Sequence, residues 1–209
     1  MNIVVCVKQV PDTAVERTLK PGDGTLDRQT PDGLINELDE YAIEEGLRIA
    51  EAHGGEVTIF SMGPAKASES TDARGGVVPA MLAERLGVPQ LTLASKVDID
   101  GTSVSIRRMI DDGYAVVTGS LPAVVSVVEK INEPRYPSFK GIMAAKKKPV
   151  QTLTLADIGL AADAVGLAGS ATQVADFAAR PPRAAGVIVK DDGDGGAKVA
   201  AFLAERKFI

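Results

Sequence analysis

The sequence predicts an α/β fold: a partly parallel, nucleotide-binding type of sheet flanked by helices, followed by an antiparallel hairpin region and an extended C-terminal arm. Three observations predict it. Residues 2–61 read as strand, helix, strand, the βαβ unit whose crossover is almost always right-handed. Residues 91–118 change to shorter runs divided by Asp100-Gly101 and Asp111-Asp112-Gly113, the turn chemistry of antiparallel hairpins. Of the 209 residues, 45 % are apolar but only 4 % aromatic, with no Trp, so the core must be built from Val, Ile, Leu and Ala. That composition suits a layered α/β domain better than an aromatic-rich barrel.

Asn2–Val7 is a continuous apolar run rich in β-branched residues, the pattern of a parallel strand buried on both faces. Cys6 on such a strand is expected to be inert packing. Residues 11–33 are polar, with Pro21-Gly22-Asp23-Gly24 as turn material, and read as a long excursion. A helix then begins at Asn36, a candidate N-cap worth about 1 kcal/mol. Glu37, Asp39 and Glu40 suit the positive end of its dipole, Gly54-Gly55 stops it, and His53 is favourable with its C-terminal end. Leu38, Ala42, Ile49 and Ala52 form its expected buried face. Glu56–Ser61 is the second strand.

The pattern breaks after this strand. Residues 62–67 open what reads as a second helix, yet from Ser68 to Gly76 the chain is a polar loop, and residues 79–86 form a short helix closed by Gly87. A crossover helix and its strand are missing, giving an apparent internal gap near residues 67–68. Two βα units would need roughly 50–60 residues. A true deletion would remove central strands of a buried sheet, so the expectation is a segment absent from these 209 residues rather than dispensable to the fold.

The hairpin strands 91–99, 102–110 and 114–118 follow, then a buried run from Leu121 to Val128. Pro134 and Pro137 exclude a regular helix or central strand at their positions. Residues 132–148 therefore read as a rigid loop with an apolar tip, Phe139, beside the basic run Lys146–Lys148. An ordinary surface loop with solvated lysines gives the same pattern; a docking element is the functional alternative. Residues 150–155 and an irregular or helix-like 156–168 lead to the linker Arg180-Pro181-Pro182-Arg183. The tail holds a strand candidate at 186–190, a flexible Asp/Gly stretch at 191–196, and an amphipathic helix over 197–207.

Composition excludes several classes of function. A formal charge of −5 opposes general nucleic-acid binding, which draws its affinity from phosphate neutralisation. No apolar run approaches the ~20 residues of a membrane span. Met1 leads straight into the first strand without a basic leader, and the single Cys6 suits a reducing compartment, so the expected location is cytoplasmic. One Cys and one His exclude the usual zinc cluster, and the acids at 191–194 lack calcium-loop spacing. No G-x-G-x-x-G, P-loop, H-E-x-x-H or G-x-S-x-G is present, so no self-contained catalytic constellation is expected.

What chemistry remains lies in loops at strand ends. Met62-Gly63 and residues 70–78 converge with the end of the first strand where an open parallel sheet binds ligands. Gly75 and Gly76 admit close approach of backbone N–H groups to a phosphate, a helix start supplies the dipole, and Ser70 and Thr71 offer hydroxyls. Such Ser/Thr/Asp/Gly clusters are also ordinary turn material.

Four motifs in order then carry a resemblance: Val-Lys-Gln-Val-Pro-Asp at residues 7–12, Val-Pro-Ala-Met-Leu-Ala-Glu at 78–84, Leu-Pro-Ala-Val-Val-Ser at 121–126, and Asn-Glu-Pro-Arg-Tyr with its lysine-rich continuation at 132–148. Together they resemble the electron-transfer flavoprotein β subunit of bacterial type. The resemblance implies an α-subunit partner that mainly holds the single redox FAD, and an AMP of structural role in this subunit. It implies a carrier without catalysis of its own, accepting electrons from acyl-CoA dehydrogenases and passing them to a quinone oxidoreductase. Carried over by position, the nucleotide contacts are Cys6, Asn36, Met62, Ser70, Thr71, Asp72, Arg74, Gly75, Gly76, Val77 and Val78. The docking residues are Tyr136, Phe139, Ile142 and Met143. Residues 1–180 would be the AMP-binding α/β domain and 181–209 an arm on the partner. The hairpin departs from the family pattern, with Met109 and Ala115 where an acid is typical. Two alternatives stand beside this reading: a bifurcating homologue with a second FAD in place of AMP, and a free-standing adenine-nucleotide sensor.

Overall fold

The computed structural model describes residues 1–11, 18–27, 33–62, 76–178, 181, 186, 188 and 190–209. It forms two compact units, Met1–Gln173 and Val174–Ile209.

In the first unit, β1 (Asn2–Cys6) runs parallel to β4 (Glu56–Phe60), with Ile3 opposite Val57 and Val5 opposite Ile59. Helix α1 (Glu37–His53) is the crossover between them, so the βαβ unit stands as predicted. Gly55 makes the return to β4 possible. Its φ of 133° and a Cβ position 1.9 Å from the Met1 carbonyl oxygen admit no side chain, and Glu56 N–H donates to that same oxygen at 3.0 Å. The excursion after β1 holds a short antiparallel pair the sequence did not signal, β2 (Gln9–Pro11) with β3 (Gly33–Ile35).

Two expectations about this layer are corrected. The face of α1 on the sheet centres on Gly46, with the half-buried Ala42 and Ile49 at the same face's spacing, whereas Leu38 and Ala52 are exposed; the other fully buried residue of the helix, Glu44, lies on the opposite side and meets Arg135. The sheet is also covered on one face only among the described residues. A Cβ on Gly46 would meet Val5, Ile3 and Val57, which puts those side chains toward α1. Strand alternation turns Val4, Cys6 and Phe60 the other way, and all three are exposed. Cys6 is therefore not a packed core thiol.

Helix α2 (Val78–Leu86) ends at Gly87, as read from the sequence, and packs on β5 (Gln90–Asp100) and β8 (Val124–Val127). β6 (Ser103–Ile110) and β7 (Gly113–Ser120) complete a sheet in the order β7-β6-β5-β8. Its hairpins are antiparallel, as the sequence predicts, and the buried run read at 121–128 supplies β8, which pairs with β5 in parallel. The first turn is Gly101-Thr102, one residue beyond the predicted pair, because Asp100 pairs with Ser103. The core sits here, around Leu91, Ala94, Val104 and Ile106, each at most 2 % exposed.

After β8 the segment predicted as loop contains a two-turn helix, α3 (Phe139–Ala145). The prolines precede it rather than break it, and Ser138 caps it by accepting the Gly141 N–H at 3.1 Å. Residues 150–178 are irregular apart from one 3₁₀ turn, Ala162–Ala164. In the second unit, α4 (Gly195–Glu205) is the predicted amphipathic helix, begun two residues early. The Asp191 carboxylate accepts the N–H groups of Gly193 and Gly195, giving the expected flexible stretch a defined turn. Most of the 180–183 linker and part of the 186–190 strand candidate lie outside the described residues.

Candidate functional site

The first predicted site is the carboxyl edge of the β1–β4 pair. Cys6 ends β1, Asn36 precedes α1, and Met62 stands two residues past β4, 56 % exposed. Asp39 organises this edge. Its carboxylate accepts the Lys8 N–H at 2.7 Å and the Asn36 amide Nδ2 at 2.8 Å, while Asn36 N–H donates to the Lys8 carbonyl at 3.0 Å. Asn36 holds the N-cap position with an extended backbone, but its side chain caps nothing; the expected cap is replaced by this brace on Asp39. Partial burial, then the negative charge of Asp39, push the Cys6 thiol above its ordinary range and keep it protonated at neutral pH.

Gly76, Val77 and Val78 lie at the other predicted element, the start of α2. Gly76 has φ 59°, a left-handed conformation, and Val77 at the N-cap position provides no side-chain acceptor to the first turn. Ser70, Thr71, Asp72, Arg74 and Gly75 lie outside the described residues, as does the Ala67–Ser68 junction. The structure thus brings Cys6 and Asn36 together around Asp39, and sets Gly76–Val78 at the start of the helix that packs on β5 and β8.

The second predicted site is fully described. Tyr136 is 97 % and Phe139 80 % exposed, with Ile142 and Met143 following on α3, partly exposed. Lys140 and Lys146–Lys148 are exposed around them. An apolar tip beside a basic run is what the sequence predicts here, now carried on a helix with Phe139 at its start and Lys146 at its end.

Residues that sequence reading missed hold this segment in place. Asn132 Nδ2 donates to the Tyr41 carbonyl at 3.0 Å and to Glu45 at 3.1 Å. Arg135 Nε donates to both Glu44 oxygens, at 3.0 and 2.8 Å, and its two terminal nitrogens reach the two oxygens of Glu51 at 2.9 and 3.1 Å. Arg48 adds a third cationic contact to Glu44 at 2.9 Å. Burial favours the neutral acid at Glu44, but the bonds from Arg135 and Arg48 outweigh it and hold this carboxyl below the usual glutamate range. Glu51 and Glu44 in turn raise the Arg135 guanidinium above its ordinary value. A signal was present: Glu44, Arg48 and Glu51 fall on one helix face by their spacing.

Among the described residues no helix is long and apolar enough to cross a membrane, and no group of metal-ligating side chains occurs. The family model for the electron transfer flavoprotein domain matches residues 23–75 and 68–158, two stretches that meet where the sequence shows its gap. The chain is 40 % identical to the electron transfer flavoprotein subunit beta of Mycobacterium tuberculosis, over all of this chain and 99 % of the relative. That alignment spans 264 positions against 209 residues here, so at least 55 positions of the relative have no counterpart. Identity to the subunit beta of Clostridium acetobutylicum is 33 %, over all of both chains. It is 30 % to a caffeyl-CoA reductase-Etf complex subunit of Acetobacterium woodii, over 90 % of this chain and 92 % of that one. With its ordered motifs, its βαβ unit and these full-length matches, the chain belongs to the electron transfer flavoprotein β-subunit family.

Proposed function

We propose that this chain is the β subunit of a heterodimeric electron carrier, a scaffold and docking surface rather than an enzyme. Its α partner would hold the single FAD, which supplies the capacity to take up electrons from one flavoenzyme and release them to another. The donors would be acyl-CoA dehydrogenases and related flavoenzymes, the acceptor a quinone oxidoreductase at the membrane, and the setting the bacterial cytoplasm. The C-terminal unit with α4 would be the arm that reaches over the partner.

The observation that carries this reading is the α3 tip. Phe139 is 80 % exposed, followed on the same helix face by Ile142 and Met143 and accompanied by exposed lysines, in a segment clamped to α1. A protein does not stabilise itself by holding a phenylalanine in water, whereas one apolar anchor within weak polar contacts suits a transient partnership. Phe139→Ala in the α/β complex should leave folding and FAD content intact. It should slow flavin reduction by an acyl-CoA dehydrogenase by about 30-fold, the equivalent of ~2 kcal/mol of anchor energy. Unchanged donor kinetics would end the docking reading.

The described residues also fit an adenine nucleotide. Glu37, Asp39 and Glu40 crowd the start of α1, where carboxylates repel phosphate and accept from ribose hydroxyls. The start of α2 has no acid in its first turn, an uncapped N-cap position and a left-handed Gly76, the set that suits phosphate oxygens. A second reading keeps the same nucleotide site and fills it with FAD, a bifurcating homologue. Nucleotide released from the purified complex separates the two: AMP with one FAD, or two FAD.

A further inference from the structure

We propose that Arg135 is a positioning residue for partner docking: its clamp on Glu44 and Glu51 sets where α3 presents Phe139. This rests on the docking reading above and adds to it the element that fixes the anchor. The need for such an element follows from the local sequence. Pro134 and Pro137 have no N–H to donate, and Tyr136 and Phe139, 97 % and 80 % exposed, bury too little surface to fix the segment. The backbone hydrogen bonds of the segment are local, Ile131 to Val128 and Ile142 to Ser138. Its long-range bonds are those of the Asn132 and Arg135 side chains to α1, 84 to 91 residues away in sequence.

The geometry of those bonds suits a locator. Arg135 makes a planar fork that engages two carboxylates lying two turns apart on α1, and Asn132 adds a third point, at the Tyr41 carbonyl about one turn before Glu44 and at the adjacent Glu45. Three points along one rigid helix fix both position and direction. From Arg135 the path to the anchor is short and stiff. Pro137 has its φ locked by its ring, Ser138 is bonded to Gly141 as the cap of α3, and Phe139 is the first residue of that helix. A lysine would give a point charge where the fork is required, so it should not replace Arg135.

The test uses the α/β complex with Arg135→Gln, Arg135→Lys, Phe139→Ala and the Arg135→Gln/Phe139→Ala double variant. Flavin reduction is followed against the concentration of an acyl-CoA dehydrogenase, and separately with dithionite, which needs no docking. Backbone hydrogen exchange is read over residues 138–146. Both Arg135 variants should raise the half-saturating donor concentration about tenfold, leave the limiting rate within twofold, and leave dithionite reduction unchanged. Exchange over α3 should accelerate while β5–β8 stay protected, and the double variant should be no worse than Phe139→Ala alone, because a misplaced anchor and a missing one lose the same contact. Should Arg135→Gln fail to fold, Glu51→Gln weakens the exposed half of the clamp and must shift the same two readouts in the same direction. Additive losses in the double variant, or normal donor saturation beside a defective Phe139→Ala, would overturn the proposal and leave docking standing. A silent Phe139→Ala would remove the docking reading and the locator with it.

Discussion

The Glu44 carboxylate, on a residue only 4 % exposed, lies 2.8 Å from Arg135, a residue 91 positions later in the chain. A buried acid at the centre of the crossover helix would ordinarily be costly. Here it is satisfied from two sides, by Arg48 one turn on and by the segment that leads to α3. The pair therefore ties the βαβ unit to the docking segment, two regions that the sequence treats as unrelated.

The first prediction concerns pH. The folded structure lowers the Glu44 pKa below its unfolded value of about 4.3, so the charged form favours the folded state. Its stabilisation is fully present above that value and is lost as pH falls through the lower folded value. Arg135 is half-exposed, which screens the pair, so Glu44→Gln should cost ~1–2 kcal/mol at pH 7. The difference from the wild type should shrink steadily below about pH 4. Urea unfolding midpoints of the two proteins between pH 7 and pH 3 measure it; a constant difference would assign the loss to packing alone.

The second prediction concerns the contact of helix on sheet. A Cβ on Gly46 would lie 3.0 Å from the nearest Val5 methyl, 3.5 Å from Ile3 and 3.6 Å from Val57. Gly46→Ala gains up to ~1 kcal/mol of helix propensity but must push Val5 aside, so its net effect should be near zero. Gly46→Leu gains the same propensity and cannot be accommodated, costing ~2–3 kcal/mol. Thermal unfolding of the three proteins checks the order. A stabilised leucine variant would mean that α1 stands further from β1 than the structure has it.

Much of the fold was legible because it rests on local signals. The βαβ order, the Gly54 and Gly87 stops, and the β5–β6–β7 meander follow from periodicity and turn residues within a few positions of each other. What was not legible depends on distant partners. Apolar spacing puts Leu38, Ala42, Ile49 and Ala52 on the inner face of α1; Ala42 and Ile49 are half-buried and the other two exposed, because the sheet is met at Gly46, which has no side chain, while Glu44 is buried on the opposite side by its arginines. Cys6 reads as core only if β1 is covered on both faces, and among the described residues it is covered on one. Helix α3 was hidden because seven residues between a proline and a lysine run carry too little periodicity. The tip at Phe139 was legible as an aromatic out of place; the clamp behind it was not, since nothing near Arg135 in sequence announces Glu44.

The third prediction concerns Gly76. At φ 59° a β-branched residue is strained, while among the described residues no heavy atom other than those of its chain neighbours stands within 4 Å of its Cβ position. Gly76→Val should therefore cost ~1–2 kcal/mol through backbone strain alone. If the start of α2 receives the phosphate, it should also lower the AMP recovered from the α/β complex while the FAD spectrum is spared. Gly76→Ala, strained less and smaller, should fall between. Loss of a second flavin in place of AMP would favour the bifurcating type.

The fourth prediction concerns the missing positions. At least 55 positions of the mycobacterial relative have no counterpart in this chain, and the two family-model matches meet at residues 68–75, between β4 and α2. A segment there leaves β4 and would return before α2, and we expect its crossover helix to cover the face of β1–β4 that no other described residue covers, with Val4 at 63 % and Phe60 at 45 % exposure. Burying two such side chains more fully is worth about 1–3 kcal/mol between them. Grafting the relative's segment between Ala67 and Ser68 should therefore raise the unfolding midpoint and reduce binding of a hydrophobic dye such as ANS. Nucleotide content should rise as well, because the same segment would join the edge at Cys6 and Asn36 to the start of α2. A control insert of equal length, rich in Gly and Ser, separates covering from mere length: it should leave dye binding unchanged and cost a little stability through loop entropy. If both inserts behave alike, the uncovered face is met by something other than the missing segment.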